Sequence, residues 1–116
     1  MKIQFWHSRV WDFISDFYTP LKEKFPDHTF LFPHEMWKEA PNSRESLKRQ
    51  DVFLCEVSHP STGLWIELWF ASLYGIRIVC MYKEWFEISG SLKYVMDEIF
   101  EYNDSKDMIE KLRSML

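Results

Sequence analysis

The sequence predicts an α/β protein with a doubly wound, mainly parallel five-stranded sheet flanked by helices. Three observations carry this expectation. Short apolar runs alternate with stretches of helical period along the chain, the pattern left by parallel strands joined through crossover helices. Two of the runs, 51–57 and 76–82, are apolar at nearly every position, as strands covered on both faces are. Cap and turn residues mark the changes between the two patterns, with Ser61-Thr62-Gly63 opening one helix and Gly75 closing it.

Residues 3–6 read as a first strand. Helical spacing follows at Val10, Phe13, Ile14 and Phe17, with Ser8 as the cap, and Thr19-Pro20 restarts the helix, which continues to Phe25. Pro26-Asp27 breaks it, residues 28–32 form a second strand, and 33–41 are irregular. Asn42 with Glu45 makes a capping box for a helix ending near Gln50. The third strand, 51–57, runs through a loop at 59–63 into a helix ending at Gly75, and the fourth strand is 76–82. A long loop, a helix from about Ser91 to Ile99, a short strand at 100–102 and a helix capped by Asp104 or Ser105 complete the chain.

Composition narrows the functional classes. The 116 residues suit one domain, and with 47% of them apolar and no low-complexity tract the chain is expected to be compact. A net charge of −4 with scattered basic residues argues against duplex nucleic acid as a partner, although local backbone geometry can still hold a small anion. Cys55 and Cys80 lie inside apolar strands without metal-ligand spacing, so both are read as small buried hydrophobes. No metal site is expected from the four histidines either, since no pair is spaced for a helix face. With neither a signal peptide nor a membrane span in evidence, a soluble cytoplasmic setting is expected.

The chemistry concentrates after the third strand. Pro60 ends the strand, Gly63 lets backbone approach a ligand, and Ser61 or Thr62 caps the helix, so that the hydroxyl and the first-turn amides suit a phosphate. A P-loop is excluded, because no lysine follows at the required spacing. Glu67 then stands among Leu64, Trp65, Ile66, Leu68, Trp69 and Phe70, an apolar setting in which a carboxylate needs a reason. A carboxylate at the edge of a dry cleft can attack an anomeric carbon and stabilise a developing oxocarbenium ion. Trp6, Trp65, Trp69 and Trp85 are candidates to stack on a base or sugar, Trp65 and Trp69 equally to build an oligomer contact, and His7 and His59 to line the cleft.

The block from Asp51 to Glu67, DVFLCEVSHPSTGLWIE, resembles the signature of the nucleoside 2-deoxyribosyltransferase family. It is most similar to the branch that includes the 2'-deoxynucleoside 5'-monophosphate N-glycosidases. Asp51, Glu56-Val57, Pro60-Ser61, Gly63 and Glu67 fall in register with that pattern, and Asp51 joins the candidate substrate-side residues. The resemblance implies a Rossmann-like or flavodoxin-like fold and a nucleoside or nucleotide substrate. It implies Glu67 as the nucleophile, with Ser61, Gly63 and Ser91 from a partner chain holding a 5'-phosphate. It further implies a homo-oligomer, such as a homodimer, with the site near a subunit interface, and no cofactor.

Three positions depart from the pattern. Gln4 stands where the family places a tyrosine near the nucleophile, Asn42-Ser43-Arg44-Glu45 lacks the aspartate that helps protonate the leaving base, and Trp65 replaces the loop's second glycine. The alternative expectation is therefore a nucleotide-binding protein of the same fold without turnover.

Overall fold

The computed structural model describes residues 1–7, 13–32, 43–59 and 61–116. Its strands are β1 (Lys2–Trp6), β2 (Thr29–Leu31), β3 (Val52–Glu56), β4 (Arg77–Lys83) and β5 (Glu98–Tyr102). They form one sheet in the order β2-β1-β3-β4-β5, every neighbouring pair parallel. The expected doubly wound α/β fold is therefore the one observed. The strand order reverses between β1 and β3, and sheets of this kind bind ligands at that point.

The helices are α1 (Thr19–Lys24), α2 (Ser43–Leu47), α3 (Thr62–Leu73) and α4 (Ser105–Arg113). Strand alternation sorts the core into two layers. Ile3, Phe5, Leu54, Val79 and Met81 face Leu21 of α1 and Met108 and Leu112 of α4. Trp6, Phe53, Cys55, Ile78 and Cys80 face Leu47 of α2 and Leu64, Leu68 and Ala71 of α3.

The restart expected at Thr19-Pro20 takes a different form. A π-helical turn, Ile14–Tyr18, runs without a break into α1, and Thr19 is itself helical and donates to Ile14 O. Pro20 has no N–H for the carbonyl four residues back, and Ser105 Oγ supplies the bond to that carbonyl, Asp16 O, at 2.7 Å. The Ser8 cap, Val10, the loop at 33–41 and the Asn42 half of the capping box lie outside the described residues. Glu45 pairs with Lys48 at 3.3 Å.

The helix expected over 91–99 is not present. Gly90–Tyr94 make a single 3-10 turn and the chain then extends. Asp97 accounts for the change: its amide donates to Ile78 O at 2.9 Å and its carboxylate accepts from Ile78 N at 2.7 Å. That double tie starts β5 at Glu98, and Ile99 and Phe100 pair with Cys80 and Met81. Tertiary pairing has overridden a weak local period.

Gly75 ends α3 as expected. Its φ is +69°, Gly75 N donates to Ser72 O, and Ile76 N reaches back to Ala71 O, which closes a Schellman motif. Among the described residues no helix is long and apolar enough to cross a membrane.

Candidate functional site

Helix α3 begins at the cap expected of it. Ser61 has extended backbone, its Oγ accepts from Leu64 N at 3.3 Å, and its carbonyl accepts from Trp65 N. The amides of Thr62 and Gly63 belong to the first turn and have no acceptor within the helix. A Cβ on Gly63 would meet only Ser61 Oγ, at an ordinary 3.8 Å, so packing does not require glycine there.

Glu67 lies three residues after Leu64 and four before Ala71, both fully buried, so helical geometry turns it toward the sheet. It is half-buried there, and Gln4 Nε2 of β1 donates to its Oε1 at 3.2 Å. Ser46 Oγ of α2 donates to Gln4 Oε1 at 2.8 Å. Three elements thus meet in one polar chain inside an otherwise apolar layer. Burial pushes the Glu67 carboxyl up to about 7, and the Gln4 hydrogen bond pulls in the opposite direction. A carboxylate so placed can serve as a nucleophile, and near neutral pH it can also take up or give a proton.

The other candidates are scattered. Trp6 is buried in the α2–α3 layer, at 8% exposure, and Trp65 is half-buried against the same layer. Cys55 and Cys80 are partners in register on this layer and are fully buried, and burial is the first cause that raises the Cys55 thiol. Ser91 is exposed in the 3-10 turn, and its amide donates to Ser89 Oγ. The His59 ring packs edge-on against Phe86 at 4.8 Å.

Two expected cleft residues lie elsewhere. His7 is on the opposite face of the sheet from Glu67, because β1 alternates and positions 3, 5 and 7 point toward α1. It is 1% exposed, stacks on Phe13 at 4.5 Å and hydrogen-bonds to the Tyr18 hydroxyl. Asp51 sits at the amino end of β3, away from the loop that follows the strand. Its Oδ2 accepts from Lys2 N at 2.7 Å and its amide donates to Lys2 O, so it ties β3 to β1.

Two features were not anticipated. Ser46 falls inside the short helix expected to end near Gln50, where a hydroxyl beside the buried Leu47 is its one local signal. The second is a buried cluster at the end of β3. Glu56 accepts from Ser58 N at 2.6 Å, from Ser58 Oγ at 3.2 Å and from the Tyr102 hydroxyl. Ser58 Oγ in turn accepts from Lys83 N at 2.8 Å, which fastens the start of the loop to β4. Burial raises the Glu56 carboxyl despite these bonds. A 550 Å³ groove between α1 and α4 lies on the face of the sheet away from Glu67.

No family model matches the chain, and no curated protein matches it. Among solved structures it is similar to a Clostridium botulinum CMP N-glycosidase, BcmB, with a TM-score of 0.71 and 22% identity over 97% of this chain and 99% of that one. The likeness spans both chains almost completely, and what the two molecules share is the five-stranded parallel α/β fold.

Proposed function

We propose that this protein cleaves or transfers at the N-glycosidic bond of a nucleoside 5'-monophosphate, with Glu67 as nucleophile. The observation that carries the reading is Glu67 itself. It is a half-buried carboxylate held by Gln4, little more than one turn past a capped helix entrance, beside the strand-order reversal. The similarity of the fold to a CMP N-glycosidase supports the same chemistry.

In this reading a Glu67 oxygen bonds to C1' as the C1'–N bond breaks. The electron pair leaves with the base, which takes a proton from water. Water then attacks C1' and returns the carboxylate, releasing the sugar phosphate; a second base in place of water gives transfer. Ser61 and the free amides of Thr62 and Gly63 hold the phosphate at the positive end of α3. Trp6 and Trp65 flank the base and sugar.

A second copy of the chain completes the site in this proposal and contributes Ser91. Support comes from Ile66, Trp69 and Leu73, which are 51%, 61% and 62% exposed and form one stripe on the helix that carries Glu67. Stripes of this size and spacing suit helix-to-helix contact. A second reading, nucleotide binding without turnover, is favoured by two of the departures from the family pattern: the stretch Asn42-Ser43-Arg44-Glu45 lacks the aspartate that would help the base leave, and Gln4 stands in the place of a tyrosine and cannot move a proton.

The test is a chromatographic screen for free base, with ribo- and deoxynucleosides and their 5'-monophosphates as substrates and Glu67→Gln alongside. Release by the wild type and none by the variant is expected. Nucleotide binding that raises Tm without release would move the assignment to the second reading.

A further inference from the structure

We propose that Gln4, oriented by Ser46, is the positioning residue of the Glu67 carboxylate, holding Oε1 and leaving Oε2 as the oxygen that attacks. This inference rests on the reading of Glu67 as nucleophile.

Gln4 is a costly residue to bury where it stands. Its side chain is fully buried on a strand face where the next residue of the same orientation is Trp6, and the layer it joins is apolar. An amide in such a place is unfavourable unless both its ends are paired, and a methionine of similar length would pack there without that demand. Both ends are paired. The carbonyl oxygen accepts from Ser46 Oγ at 2.8 Å and the amide nitrogen donates to Glu67 Oε1 at 3.2 Å. Ser46 is what makes the arrangement directional. A hydroxyl donating to Oε1 of Gln4 leaves the NH2 end facing Glu67, so the amide meets the carboxylate as a donor.

The bond has two consequences. A donor on Oε1 fixes the rotation of the carboxylate, and among the described residues none hydrogen-bonds to Oε2. A neutral donor also favours the charged form, which opposes the effect of burial. An amide does this without a proton of its own to lose, so the support does not change across the working pH range.

Few other ionisable groups face Glu67. It is the sole ionisable residue within α3, and from the sheet the Cys55 thiol of β3 faces it, with Cys80 of β4 alongside. Glu45 of α2 and Lys48, just past its end, pair with each other at the surface. Tyr74, at the end of α3, carries Lys48 Nζ over its ring at 5.4 Å.

The test is a carbon-13 carboxyl NMR titration of Glu67 in the wild type, Gln4→Met, Ser46→Ala and Ser46→Thr. Base release from nucleoside 5'-monophosphates is followed against pH in parallel. Gln4→Met is expected to raise the Glu67 pKa by about one unit and to cut kcat/KM about tenfold on the acid side, with recovery at higher pH. Ser46→Ala should move both in the same direction by less, and Ser46→Thr should restore them. Ser46→Ala removes a single oxygen and reports even if Gln4→Met fails to fold. An unmoved Glu67 titration in both variants would overturn the inference and leave Gln4 as a strut between sheet and helices. A moved titration in a protein that releases no base sustains the positioning role and removes the nucleophile reading. Base release with an unmoved titration does the opposite.

Discussion

At the scale of single residues, Glu67 and Glu56 show how burial and hydrogen bonding compete over a carboxyl group. Glu67 is protonated in the folded protein up to about pH 7, whereas an ordinary glutamate ionises near 4.5. Folding therefore takes up a proton between those values, so stability falls as pH rises from about 4.5 through 7 and stays lowered above. Glu67→Gln is expected to stabilise the protein at pH 8 by on the order of 2 kcal/mol and to change little at pH 4.5. Urea unfolding at the two pH values checks this. At Glu56 the hydroxyl of Tyr102 bonds to a buried carboxylate, and Tyr102→Phe removes it. A loss of about 2 kcal/mol is expected, read by the same unfolding experiment at pH 7.

At the scale of elements, two left-handed residues allow one argument to be tested in opposite directions. Gly75 closes α3 at φ +69°, and a Cβ there would meet nothing within 4 Å. Gly75→Ala therefore reports backbone strain alone and is expected to cost about 1 kcal/mol. Trp85 has φ +74° in the turn closed by Phe86 N to Lys83 O, and its side chain is 92% exposed. A bulky residue is strained there and, so exposed, gains little packing against the described residues in return, whereas asparagine tolerates the conformation. Trp85→Asn is expected to raise Tm by about 3 °C, while Gly75→Ala lowers it by a similar amount; calorimetry checks both. A fall in Tm for Trp85→Asn would mean that the tryptophan makes a contact outside this chain.

At the scale of the whole molecule, the proposed second copy predicts linked behaviour. Trp69→Asp puts a charge into the exposed stripe of α3 and should shift the protein to monomer in light scattering. Its Tm should lose any dependence on protein concentration, and any base release should fall with assembly. Monomeric wild type at high micromolar concentration would remove the second copy from the proposal.

Much of this molecule is legible in its sequence, and the exceptions share a cause. The alternation of strand and helix patterns led to the doubly wound sheet, and the Gly75 stop and the Asp104 cap are local events read from neighbouring residues. Ser61 and Glu67 were legible because a cap and a lone acid among large apolar residues stand out within one turn of helix. What stayed hidden was decided by which strands lie side by side. Glu98 and Ile99 left their helical pattern to pair with β4, and His7 and Asp51 are near the site in sequence terms yet occupy the wrong face and the wrong end of the sheet. Gln4 and Ser46 are 63 and 21 residues from Glu67 in the chain, and each looks ordinary alone. Fold class, the loop and its acid are written into short runs of neighbouring residues, because periodicity and capping act over a few positions. The groups that surround that acid are set by packing, because burial and hydrogen bonding depend on neighbours that the folded sheet and helices bring together.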